Sequence, residues 1–260
     1  MQITLSYLVR IMWALSGVVV FMTTMAPTFV YAKEVKVAVA ANFTSAAKEI
    51  GARFEAASGH KVIFSFGSTG QIYAQITQGA PFDIFLSADQ ARPERAGREG
   101  YALIDTRFTY ATGQIVLFSA TPGLVKGEQT LKRGVFTKLA IANPATAPYG
   151  RAAVEIMRAL GIYSDLETKI VQGGDITQAY QFVATGNAEV GFVAQSQVVQ
   201  TDDGSRWLVP KILHSVIAQD AVMLNQGASN DAAHAFMAFL KGPIARAVKK
   251  KFGYGAVDSP

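Results

Sequence analysis

Four residues, Gly67-Ser68-Thr69-Gly70, end an apolar run and come directly before a helical pattern. Glycines let a ligand approach the backbone closely, and the hydroxyls of Ser68 and Thr69 can each donate a hydrogen bond. The first N–H groups of a helix have no partner within the helix and carry a partial positive charge, so this arrangement favours a bound anion. That anion is the phosphate of a nucleotide, the oxyanion of a reaction, or a free anion that is simply held.

The first two of these uses depend on motifs that the chain lacks. A Walker-type phosphate loop needs a Gly-Lys pair, but Gly70 is followed by Gln71, and the G-x-G-x-x-G fingerprint is also absent. The G-x-S-x-G elbow of α/β hydrolases is absent as well, because the Gly67–Gly70 segment is one residue too short. Binding of a free anion by uncharged donors is the use that remains.

Catalytic and metal-binding patterns are not evident elsewhere in the sequence. The three histidines, His60, His214 and His234, show no spacing typical of a metal site or a catalytic triad, and the chain has no cysteine. Its carboxylates are scattered, and no adjacent tyrosine pair of the kind used by iron carriers is present. We therefore expect no cofactor, no direct protein ligand to a metal, and no enzymatic activity.

The elements that would position an anion site follow a repeating pattern. Apolar strand-like runs alternate with segments of helical spacing, which predicts mostly parallel sheets flanked by helices. The pattern restarts near Gly113, so we expect two α/β lobes joined by crossing strands. The clearest strand-like runs are Val35–Ala41, His60–Phe66, Phe82–Ala88, Lys138–Pro144, Glu189–Ala194 and Asp220–Asn225.

Three predicted helices begin just after such strands, with Asn42, with Ser68 and Thr69, and with the segment Ala147–Gly150. Ligands of open α/β sheets bind at the carboxyl ends of the strands. Asn42 occupies the expected N-cap position of its helix. Each start taken alone fits an ordinary helix cap, whereas the three together favour a shared anion pocket.

The N-terminal segment predicts export. Arg10 is followed by an uncharged, largely apolar stretch that ends in small residues at Ala32, which is typical of a secretory signal cut after Ala32. A retained membrane anchor is the alternative. Removing residues 1–32 takes away Arg10 and no acid, so the net charge falls from +5 to +4. This mild charge, without clustered basic and aromatic residues, argues against nucleic-acid binding.

Six segments, in order, resemble the periplasmic molybdate-binding proteins, the solute receptors of molybdate ABC importers. The resemblance extends over nearly all of the predicted mature chain, from about Val35 to Tyr254. The segments are VAVAANFTSAAKEI, FGSTGQIYAQI, GAPFDIFLSADQ, ANPATAPYG, VGFVAQSQV and LKGPIARAVKKKFGYG.

This resemblance implies a two-lobed, type II periplasmic-binding-protein fold in the α/β class. Residues 33–114 and 218–260 would form lobe I, and residues 115–217 would form lobe II. It also implies a monomeric periplasmic receptor that binds molybdate or tungstate and delivers it to the membrane permease. The alternatives are a receptor for sulfate, phosphate or another small anion, and a secreted α/β enzyme.

The resemblance also implies the ligand-binding residues. Asn42 and Thr69 match side-chain donor positions, while Tyr149 and Ile176 match positions that donate a backbone N–H. Two further candidates rank below these four, namely Ala41 for its backbone N–H and Ser68 for its hydroxyl. The chain departs from some family members at Ala194, where those members carry a donor tyrosine.

Overall fold

The computed structural model describes residues 33–255, so the predicted signal segment at residues 1–32 lies outside the described residues. Ten strands form two five-stranded sheets. The strands are β1 (Glu34–Ala40), β2 (Lys61–Gly67), β3 (Ile84–Leu86), β4 (Ala102–Gly113), β5 (Ile115–Ser119), β6 (Leu139–Ala142), β7 (Ile170–Gly173), β8 (Val190–Ala194), β9 (Ser205–Leu208) and β10 (Ile217–Leu224).

Helices connect most of these strands and cover the sheets. They are α1 (Thr44–Ser58), α2 (Thr69–Thr77), α3 (Ala91–Arg98), α4 (Glu128–Arg133), α5 (Pro148–Ala159), α6 (Tyr163–Leu166), α7 (Ile176–Ala184), α8 (Gln195–Val198), α9 (Asp231–Lys241) and α10 (Pro243–Lys251). No helix among residues 33–255 has the length and hydropathy needed to cross a membrane.

The first sheet has the order β2-β1-β3-β10-β4, and we call the part of the chain around it lobe I. The second has the order β7-β6-β8-β5-β9 and belongs to lobe II. In lobe I, β1 is parallel to β2 and β3, and only β10 runs opposite to its neighbours. In lobe II, β5 alone is reversed. The predicted mostly parallel sheets are thus confirmed, with one antiparallel strand in each.

The chain passes between the two sheets twice. It leaves the first sheet at Gly113 and enters the second at Ile115, and it returns between Leu208 and Ile217. The returning strand enters the first sheet from the side of the second sheet, which accounts for its reversed direction. The first crossing runs from strand to strand through Gln114 as predicted, whereas the return runs through residues 209–216, which include a short 3₁₀ helix at Lys211–Leu213.

The inner strands β3, β5, β6 and β8 are buried at every residue and are largely apolar runs, as expected for strands covered on both faces. The edge strands β2, β4, β7 and β9 are partly exposed. The core of lobe I includes Phe43, Phe54 and Phe236, and the rings of Phe54 and Phe236 meet edge to face at 5.2 Å. A second core is centred on lobe II, where it includes Ile141 and Ile156, and it extends to Ala40, Ala41 and Ala88 of lobe I. This second core therefore packs the strand ends of both lobes together at their interface.

The predicted role of Asn42 as a helix cap is wrong. A short 3₁₀ helix, Ala41–Phe43, follows β1, and α1 begins only at Thr44. The side-chain amide of Asn42 donates to Gln219 and Tyr254, which are distant in sequence, rather than accepting from its own helix. By contrast, α1 ends before Gly59 as predicted.

One buried lysine, Lys249 on α10, makes the stability of the fold depend on pH. Its ammonium donates to the carbonyls of Tyr110 (2.8 Å) and Leu240 (3.1 Å), and no carboxylate among the described residues pairs with it. Burial, and secondarily the charge of Arg246, lowers the pKa of Lys249 to about 8. Neutral Lys249 is thus favoured in the folded state at mildly alkaline pH.

We expect the free energy of unfolding to rise between pH 8 and 9.5. In the unfolded chain the lysine pKa is about 10.4, so the unfolded state binds more protons across this window and stability rises with pH. At about 1.36 kcal/mol per pKa unit, the gain from Lys249 is about 1.5 kcal/mol. Urea unfolding of the parent and of Lys249→Met at both pH values checks this. Equal gains in the two proteins would show that Lys249 does not cause the change.

Candidate anion-binding site

All six predicted site residues lie at carboxyl ends of parallel strands, at the interface between the lobes. They follow β1 and β2 in lobe I, and β6 and β7 in lobe II. Each is buried, with 1–5% of its surface exposed. They are Ala41, Asn42, Ser68, Thr69, Tyr149 and Ile176.

Direct hydrogen bonds join these segments across the lobes. The N–H of Gly70, next to Thr69, donates to the carbonyl of Thr146 in the loop before α5 at 2.9 Å. The hydroxyl of Thr177, in the first turn of α7, donates to the carbonyl of Ala41 at 3.4 Å. The four segments singled out from the sequence therefore meet in one place.

The two hydroxyls of the Gly67–Gly70 segment are both held as acceptors. Ser68 caps α2 by accepting from the N–H of Gln71 at 3.4 Å, and the Gln71 side chain accepts from the Ser68 N–H in return. Thr69 Oγ1 accepts from the N–H of Ala88 at 3.0 Å. A hydroxyl that accepts one bond still has its own hydrogen to donate. Ser68 and Thr69 thus both retain a donor for an anion.

The helices of lobe II offer backbone donors. Tyr149 and Ile176 lie in the first turns of α5 and α7, where N–H groups have no partner within the helix. Asp175 caps α7 by accepting from the N–H of Thr177 at 2.8 Å, which leaves the Ile176 N–H free. Within residues 33–255, neither the Tyr149 nor the Ile176 N–H has a hydrogen-bond acceptor.

The side chain of Asn42 does not provide the donor that the resemblance implies. Its amide nitrogen donates to Gln219 Oε1 at 2.9 Å and to the Tyr254 hydroxyl at 3.2 Å, and this uses both of its hydrogens. The backbone carbonyl of Asn42 accepts from the hydroxyls of Tyr254 and Ser196, each at 2.7 Å. The backbone N–H is the Asn42 donor that remains for a ligand.

Ala194 contributes no ligand donor in this structure. It is fully buried, its side chain is a methyl group, and its N–H donates to Gln197 Oε1 at 2.9 Å. The same Gln197 side chain donates to the carbonyl of Ile176 at 3.1 Å, so it fixes the start of α7. Gln197 lies within one of the six segments that resemble the family. Nothing in the sequence indicates that it contacts Ile176, which is 21 residues away.

The tyrosine hydroxyls around the candidate site are neutral at physiological pH. Burial raises the pKa of the Tyr149 and Tyr110 hydroxyls well above the usual value, and it also raises that of Tyr254. These side chains therefore stay protonated wherever the fold is stable. Binding by such groups follows the ionisation of the ligand and not that of the protein.

A charged cluster lies at the edge of the site. Asp89 accepts from Arg92 in the same lobe and from Arg151 of lobe II, the latter at 3.0 Å. Glu155 lines one cavity with Asp89 and Arg151, so the two guanidinium groups lie near two carboxylates and leave no net charge here. The Arg151–Asp89 pair also links the lobes.

A cavity of about 180 Å³ opens beside this cluster, between the lobes. Its lining includes Ala88, Asp89, Pro148 and Arg151. The predicted donors do not line this cavity. Two of its lining residues adjoin them, because the Ala88 N–H donates to the Thr69 hydroxyl and Pro148 directly precedes Tyr149. The converging donors, rather than this cavity, form the candidate anion site.

The fold and this interface define a class of protein. Residues 35–255 match the family described as bacterial extracellular solute-binding protein. The chain is thus a two-lobed extracellular solute-binding protein.

The chain belongs to the ModA family of solute-binding proteins, which confirms the resemblance seen in its six segments. It is 53% identical to molybdate-binding protein ModA of Rhodobacter capsulatus over 223 residues, covering 86% of this chain and 88% of the relative. ModA of Azotobacter vinelandii is also 53% identical, over 228 residues, at 86% and 90% coverage. A solved structure of the Azotobacter vinelandii periplasmic molybdate-binding protein superposes with a TM-score of 0.84 at 39% identity, covering 86% of this chain and all of that one.

Proposed function

We propose that this protein binds molybdate, and also tungstate, between its lobes and delivers the anion to the membrane permease of an ABC importer. The observation that carries the proposal is the meeting of uncharged donors from four strand ends, two in each lobe, at one buried interface. The 53% identity to proteins named for molybdate binding supports the choice of anion.

In this proposal the anion bridges the lobes. Asn42 N–H and the Thr69 hydroxyl bind it from lobe I, and the N–H groups of Tyr149 and Ile176 bind it from lobe II; Ala41 N–H and the Ser68 hydroxyl are further candidates. Closure is favoured because only the closed form satisfies both sets of donors. The molybdenum atom is reached only through its oxygens, so no protein atom coordinates the metal and no cofactor takes part.

The same features support a receptor without catalytic activity. The described residues contain no nucleophile held against a base at the donors, and hydrogen bonding to an oxyanion does not itself change it. We further propose that residues 1–32 direct export to the periplasm and that the exported chain acts as a monomer. A receptor for sulfate or phosphate is the main alternative, since those anions are also tetrahedral and cavity size must separate them.

A melting-temperature screen across anions tests the proposal. Molybdate at about 100 times its dissociation constant is expected to stabilise the fold by about 2.7 kcal/mol, because it binds the folded state only. For a domain of this size that raises the melting temperature by about 5–11 °C. Tungstate should act similarly, whereas sulfate, phosphate and ferric citrate should not. A larger shift with sulfate or phosphate would assign the site to that anion, and no shift with any oxyanion would contradict the proposal.

A further inference from the structure

Gln219 is a fully buried polar residue in the strand that returns from lobe II to lobe I. It lies at a β-bulge, since Gln219 pairs with Ala111 and Asp220 pairs with Thr109, so that Tyr110 has no partner across the strands. A bulge changes the direction of the side chains around it. Here the Tyr110 hydroxyl reaches Gln219 Oε1 at 3.0 Å.

The amide of Gln219 joins the two lobes. Its oxygen accepts from Asn42 Nδ2 at 2.9 Å as well as from Tyr110, both in lobe I. Its nitrogen donates to the hydroxyl of Tyr149, in lobe II, at 3.3 Å. Asn42 and Tyr149 are two of the residues whose backbone N–H groups are assigned to the anion. Gln219 is therefore bonded to the side chains of both.

The strand that crosses between the lobes packs directly against this junction. A Cβ atom placed on Gly113 would lie 2.3 Å from the Tyr149 hydroxyl and 2.6 Å from Gln219 Nε2. Real Cβ atoms do not approach that closely, so a larger residue at Gly113 would displace the ends of these two side chains. The Tyr149–Gln219 contact is thus confined by the backbone of the crossing strand, which leaves the two side chains little freedom.

We propose that Gln219 is a positioning residue for anion binding. By holding the Asn42 amide and the Tyr149 hydroxyl together, it fixes the separation of the two backbone N–H groups that bind the anion from opposite lobes. It does not contact the anion. Its bond to Tyr149 crosses between the lobes, so it favours the arrangement in which both sets of donors face the anion. This inference rests on the proposed molybdate site.

The test compares Gln219→Leu, Tyr149→Phe and the double variant by calorimetric titration with molybdate. Tyr149→Phe removes the hydroxyl that Gln219 holds but keeps the backbone N–H. Each single variant is expected to bind molybdate about tenfold more weakly, the worth of a hydrogen bond. The double variant should lose no more than Gln219→Leu alone, because that variant already removes the Gln219–Tyr149 contact. Melting of the unligated proteins shows that each variant is folded.

Tyr163→Phe is the matched control, because among the described residues the Tyr163 hydroxyl bonds only to an exposed Glu167 on the surface of lobe II. It should bind molybdate like the parent. The inference is overturned if the single variants bind within twofold of the parent, or if their losses multiply to about a hundredfold in the double variant. If Gln219→Leu does not fold, the molybdate affinity of Tyr149→Phe tests the inference alone. An affinity within twofold of the parent then overturns it. A parent that does not bind molybdate would overturn the proposed function as well, whereas parent-like variants overturn only the role of Gln219.

Discussion

Replacing Thr69 with alanine is expected to weaken molybdate binding by about 10- to 150-fold. The hydroxyl accepts from the Ala88 N–H at 3.0 Å, so its orientation is set and its hydrogen is left to donate to the anion. A hydrogen bond to a charged group contributes about 1.5–3 kcal/mol, which gives this range of affinities. Calorimetric titration of the purified variant measures the loss.

Two further variants make this result specific. Thr69→Ser keeps the hydroxyl and should bind molybdate within a few-fold of the parent. Ser68→Ala removes the neighbouring hydroxyl, whose oxygen caps α2 by accepting from Gln71. A large loss of affinity in Ser68→Ala with none in Thr69→Ala would transfer the assignment to Ser68. Unchanged affinity in both would show that neither hydroxyl binds the anion.

Replacing Gly150 with alanine is expected to destabilise the fold by at least about 2 kcal/mol, and so to lower its melting temperature by about 4–8 °C. A Cβ on Gly150 would lie 2.2 Å from the carbonyl oxygen of Ala142 and 2.8 Å from its carbon. Both are backbone atoms of β6, so no side chain can move aside, and the start of α5 must shift. That shift also displaces the Tyr149 N–H, so molybdate affinity should fall together with stability.

Gly67→Ala is the matched control for this steric effect. A Cβ on Gly67 meets only side-chain atoms, the nearest of them on Ile72 at 3.6 Å, which is an ordinary contact distance. We expect thermal melting of Gly67→Ala to stay close to that of the parent. Equal melting temperatures for Gly150→Ala and the parent would contradict the close contact between α5 and β6.

Much of the fold could be predicted from local pattern. The alternation of strands and helices, the two lobes and the starts of α2, α5 and α7 follow from runs of apolar residues and from residues that begin helices. Strand β4 was missed because its sequence, ALIDTRFTYATG, mixes charged and apolar residues without strict alternation. Its partner β10 holds it at the edge of the sheet, and that pairing is not visible in the sequence of β4.

The positions of most site residues could be predicted from the sequence, but the orientation of their side chains could not. Ser68, Thr69 and Tyr149 follow predicted strands at predicted helix starts, whereas Ile176 was indicated only by the family resemblance, because the short strand β7 before it was not predicted. The orientation of Asn42 depends on Gln219, which is 177 residues away, and on Tyr254 near the C-terminus. Such partners are brought together only by the folded structure, and no local pattern indicates them. Local reasoning therefore identified a helix cap where the fold has a buried amide network.

Calorimetric titration of the purified exported chain with sodium molybdate tests most directly whether the protein binds this anion. We expect a single saturable site per chain, with an affinity that an excess of sulfate does not reduce. We also expect Thr69→Ala to weaken this binding, whereas Thr69→Ser should not. A flat titration with molybdate, or tighter binding of sulfate than of molybdate, would contradict it.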